Sequence, residues 1–69
     1  MKEKYTLVGV DGNAFSIMGY VSQSMRREKF TTSEINEYRK QAMSSDYNNL
    51  LCVSIEYIEK CNERYFNNF

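Results

Sequence analysis

The chain has 69 residues, 42% of them apolar and 14% aromatic, with nine basic side chains, nine acidic side chains and no histidine. That length makes one small domain, at the lower edge of what a hydrophobic core sustains by itself, roughly 3–5 kcal/mol. The cancelled charge excludes a general field-driven attraction to nucleic acid or to an anionic membrane, and the aromatic content with interleaved charges excludes a disordered chain.

In chain order, Tyr5-Thr6-Leu7-Val8-Gly9-Val10 comes first, rich in β-formers and closed by the turn pair Asp11-Gly12, which predicts a strand. Gly9 gives up side-chain packing there, so a close neighbour is expected over it. Asn13 then serves as an N-cap, and Ala14, Ile17, Met18, Val21 and Met25 keep the spacing of one helix face to about Glu28. Gly19 lies inside that helix, where glycine costs about 1 kcal/mol against alanine, and a closely packed neighbour or a ligand across the backbone would compensate. Arg26, Arg27 and Lys29 fall where cations offset the negative end of the helix.

Thr31 with Glu34 spells a capping box for a second, short helix carrying Ile35, Tyr38, Ala42 and Met43 and ending near Ser44. Asp46 caps a third, in which Leu50, Val53, Tyr57, Ile58 and Cys61 hold helical spacing. Residues 63–69 carry aromatics without a helical period, and read as a tail or a short strand. The expected fold class is α+β and mostly helical: one N-terminal strand, three helices and that short C-terminal segment, with residues 1–62 as the single domain. A lone strand has unpaired edges, so it needs either residues 65 and 66 or the same strand of a second copy, which makes a homodimer or larger homo-oligomer the expectation. Tyr38, Tyr57, Phe15 and Phe30 fit packing positions; Tyr47, Tyr65, Phe66 and Phe69 lie near element ends and could form an interaction patch.

Cys52 and Cys61 stand nine positions apart on one helical pattern, about 180° around the axis, and cannot bridge each other. Without histidine they supply no zinc site, so neither metal nor cofactor is expected. No uncharged run approaches the ~20 residues that cross a bilayer, and no apolar core follows the basic start, so the expected location is the cytoplasm, without membrane contact. Catalysis by acid and base or by a nucleophile needs a partnered side chain that this composition does not offer, so no enzyme activity is expected.

Chemistry therefore concentrates at Asp11-Gly12-Asn13, where a helix N-terminus presents unpaired N–H groups and a glycine lets a phosphate or carbonyl approach the backbone. A tight turn with an Asn cap explains the same residues. If a ligand binds there, Ser16 lies in the first helical turn, Tyr20 can stack on a base, and Arg26 or Arg27 from a symmetry-related copy can pair with phosphates.

The chain resembles a group of small bacterial and phage proteins with the pattern Leu-Val-Gly-x-Asp-Gly-Asn-Ala-Phe, here Leu7 through Phe15, followed by a helix with a basic end, here Met25-Arg26-Arg27. The likeness continues through Ser44-Ser45-Asp46-Tyr47-Asn48-Asn49-Leu50-Leu51 and Ile55-Glu56-Tyr57-Ile58. Ser45 departs from it, where glycine is usual, as does the aromatic tail, where relatives end in a short acidic strand. The resemblance implies a phage or mobile-element setting, in a host cell's cytoplasm, in which very small proteins act by binding and blocking. Two functions follow as expectations. One is an oligomer that sequesters a small anionic ligand, such as a nucleotide immune signal, through Asp11, Gly12, Asn13, Ser16, Tyr20, Arg26 and Arg27. The other is an interaction module that blocks a host or phage protein with its terminal aromatics and an exposed helix face.

Overall fold

A computed structural model describes residues 4–67. Three helices make the fold: α1 (Ala14–Arg27), α2 (Thr32–Ala42) and α3 (Tyr47–Asn67), with α3 lying against both of the others and α1 also touching α2. The body is flattened, 36 × 27 × 15 Å.

Each helix starts where a side chain takes up free amides. Asn13 Oδ1 accepts the Phe15 N–H (2.8 Å). Thr31 and Glu34 close the capping box from both sides, at 3.1 and 2.8 Å, and that contact holds the Glu34 carboxyl below its usual range. The Asp46 carboxylate accepts the Asn49 N–H at 2.9 Å. Each capped amide would otherwise lack a partner, and a lost cap costs about 1 kcal/mol. The end of α1 is equally defined: Lys29 turns to φ 64°, its N–H reaches Arg26 C=O, and the Phe30 N–H reaches Met25 C=O. This is the Schellman arrangement, built here on a lysine instead of the usual glycine.

The apolar faces meet in one core that includes Ile17, Val21, Met25, Ile35, Tyr38 and Ile58. The Tyr38 and Tyr57 rings pack at a tilt of 58°, 5.1 Å between centroids. The Tyr38 hydroxyl shares a 2.7 Å hydrogen bond with Ser54 Oγ, which removes the penalty of burying both. Cys61 is buried and Cys52 exposed, on opposite sides of α3.

The expected N-terminal strand is not formed. Instead the Tyr5 N–H donates to Asn62 Oδ1 (2.7 Å) and the Tyr5 C=O accepts from Asn62 Nδ2 (2.9 Å), while the Thr6 N–H donates to the Tyr20 hydroxyl (3.0 Å). The Val10 N–H then closes a turn onto Leu7 C=O, with Gly9 at φ 86°, the value a type II turn demands at that position. Side chains of α1 and α3 thus satisfy the backbone that a second strand was expected to pair, and β propensity yields to that context. Gly9 is required by its backbone angle, not by a close neighbour: nothing lies within 4 Å of where its Cβ would stand. The same holds for space around Gly19, where neither a packed element nor any other group approaches.

Tyr5, read as a strand residue, is a core residue only 3% exposed, and its hydroxyl donates to the Glu28 carboxylate. Phe15, assigned to packing, is 75% exposed. Residues 63–67, expected as tail or strand, are the last turns of α3; residues 68 and 69 lie outside the described residues. Arg64 there stacks 3.7 Å above the Phe30 ring and donates to Glu28 C=O, and Tyr65 packs edge-on to Tyr5.

Candidate functional site

The turn before α1 is exposed throughout. Asp11 Oδ1 accepts the Asn13 N–H (3.1 Å), and Asn13 supplies both its side chain to Phe15 and its C=O to the Ile17 N–H. Of the amides that open the helix, those of Ala14 and Ser16 are left without an acceptor among the described residues. Phe15, the residue between them in sequence, is exposed.

Beside Phe15 lies a mainly apolar cleft of about 290 Å³ between the start of α1 and the connection from α2 to α3, with Met18 and Leu50 at its floor and Met43 and Tyr47 on its wall. Met43 and Tyr47 are 62% and 47% exposed. The Tyr47 hydroxyl donates to the Gly12 carbonyl, so this cleft and the Asp11–Asn13 turn form one end of the molecule. A larger groove of about 360 Å³ between α2 and α3 is lined by Glu34, Glu37, Glu63, Lys60 and Arg64. Its cations are already engaged: Arg64 pairs with Glu34 at 3.7 Å and Lys60 sits 4.5 Å over the Tyr57 ring.

The structure brings Asp11, Gly12, Asn13 and Ser16 together. Tyr20 lies one turn beyond Ser16, half-buried, with its hydroxyl bonded to the Thr6 N–H. Arg26 and Arg27 are exposed in the last turn of α1, about 20 Å from Asn13 at 1.5 Å per residue. Within one chain the arginines and the turn do not meet. Sequence reasoning placed Tyr47 in an interaction patch but missed its bond to Gly12, and it missed the exposure of Phe15. A helical period assigns Phe15 to a face without telling whether a neighbour covers that face, and nothing in the sequence links positions 12 and 47.

Taken together, the fold and this end of it define a small three-helix protein with an open, aromatic-walled cleft beside an exposed helix start. Comparison with known proteins finds no matching family model, no matching curated protein and no matching solved structure. Among the described residues no group of His, Cys, Asp and Glu could hold a metal ion, and no helix is long and apolar enough to cross a membrane.

Proposed function

We propose that the protein binds and withholds a small anionic ligand bearing a planar ring, a nucleotide signal in the phage or mobile-element setting its sequence pattern implies. It acts by binding alone, as a homo-oligomer, with no catalytic step. Phe15 carries this reading: a phenyl ring 75% exposed, in the first turn of α1, where the Ala14 and Ser16 amides lack an acceptor among the described residues. Such a ring offers a stacking face to a base, and open amides at a helix start suit a phosphate.

One chain does not supply the counter-charge. Arg26 lies on the same side of α1 as Phe15, about 20° away around the axis but about 16 Å along it. A second copy packed antiparallel on this exposed face sets the partner's Arg26 beside Phe15, and the two-fold axis repeats the site.

Native mass spectrometry of the full chain, alone and with a panel of linear and cyclic nucleotides that includes cyclic di-AMP, tests this. A defined oligomer should retain nucleotide, and Arg26→Ala and Asn13→Ala should each weaken retention about tenfold or more with subunit number unchanged, since each removes a charge-assisted or capping contact. Equal retention by both variants would sink the site, and indifference to the whole panel would sink the ligand reading.

The apolar cleft favours a second reading, an interaction module that blocks a host or phage protein. Phe15→Ser with Met43→Ser should then abolish partner capture, with no effect of nucleotides. Removing residues 63–67 is a poor test of it, because Arg64 and Tyr65 hold the fold together.

A further inference from the structure

We infer that Tyr47 is a positioning residue for the Asp11–Asn13 turn, an inference that rests on the ligand reading above and adds a residue of a different helix to it. Among the described residues, the Tyr47 hydroxyl makes the one hydrogen bond that ties this turn to another element, reaching the Gly12 carbonyl from 35 positions away. The remaining bonds of the turn stay between Asp11 and Ile17.

The carbonyl of Gly12 and the N–H of Asn13 belong to one planar, trans peptide, so fixing the direction of the first fixes the second in the opposite direction. That N–H is the one Asp11 holds at 3.1 Å. Tyr47 therefore sets the plane from which Asn13 enters the helix, and with it the aim of the Asn13 side chain and the amides behind it. Space is not the device: a Cβ built on Gly12 would stand 3.5 Å from the hydroxyl, ordinary contact. Tyr47 is held in place by its own helix start, where Asp46 accepts the Asn49 N–H. Its ring at the same time walls the cleft beside Phe15. Hydroxyl and ring thus have separable tasks, one on the turn and one on the cleft.

The test is Tyr47→Phe in the full chain, which keeps the ring and removes the hydroxyl. Amide hydrogen exchange followed by NMR on the ligand-free protein should quicken about tenfold at Asn13 and Phe15, for the loss of one hydrogen bond, with Ile58 and Cys61 unchanged as the measure of an intact core. Affinity for cyclic di-AMP should fall by a similar factor. Unchanged exchange at Asn13 and Phe15 overturns the inference, and so does faster exchange with unchanged affinity, which would leave the hydroxyl a structural contact only. If the unsubstituted chain binds no nucleotide, the ligand reading fails and this inference with it. If the unsubstituted chain binds and the variant binds equally well, only the inference fails.

Discussion

At Gly9 the backbone sits at φ 86° in open space, and at Gly19 a helical backbone has equally open space. A Cβ at Gly9 meets no atom but strains the left-handed backbone, whereas one at Gly19 meets nothing and stiffens the unfolded chain. Gly19→Ala should therefore raise stability by up to about 1 kcal/mol, and Gly9→Ala should lower it by about 1–2 kcal/mol. Urea unfolding of the two variants beside the parent chain checks the signs. The sequence shows both as glycines in β- or helix-forming company and suggests crowding at each. Only the backbone angle tells them apart, and that angle is set by the turn from Leu7 to Val10, not by the identity of the residue.

Among the elements, the three helices were legible because each carries its own instructions: Asn13, Thr31 with Glu34, and Asp46 are local signals read within four residues. The N-terminal segment was not legible, because its partners are Asn62 and Tyr20, whose side chains look like ordinary surface residues of their helices. The end of α3 was missed for a different reason: Tyr65 stands four positions after Cys61 and seven after Ile58, so the buried face runs on through it, but the exposed Phe66 beside it masks the period, and the contacts of Arg64 on Phe30 and of Tyr65 on Tyr5 lie far away in sequence. Of the candidate site, the turn and the cap were readable, while the bond from Tyr47 and the exposure of Phe15 were not. Asn62→Ala removes two hydrogen bonds to the Tyr5 backbone at once. The expected loss is about 2 kcal/mol, from two bonds of about 1 kcal/mol each, with the helical circular dichroism signal retained. A loss near zero would mean that water replaces the amide at no cost.

For the molecule as a whole, the interior holds the Tyr5 and Tyr38 phenols and the Cys61 thiol protonated. Burial and the neighbouring Glu28 push the Cys61 thiol up to about 11, and raise the Tyr5 hydroxyl by burial first and by its bond to Glu28 second. Tyr38 is raised by burial as well. Each group keeps its proton longer in the folded chain than in the unfolded one, so its contribution is complete below the ordinary pKa and is lost as pH climbs through the folded value. Stability should be level up to about pH 9, the lower end of the ordinary thiol and phenol values, and fall steadily above it. Thermal melts across pH 7–11 would show this, and Cys61→Ala should remove part of the slope. The amide of Asn62 that grips Tyr5 also orders events in time. Contacts within each helix join residues near in sequence, whereas this grip closes a loop of 57 positions, whose closure entropy opposes it until the helices are in place. The N-terminal segment should dock after the rate-limiting step, so that Asn62→Ala speeds unfolding and leaves the folding rate alone in a stopped-flow chevron. The chain would then acquire its helices first and its latch last, and would begin to come apart in the reverse order.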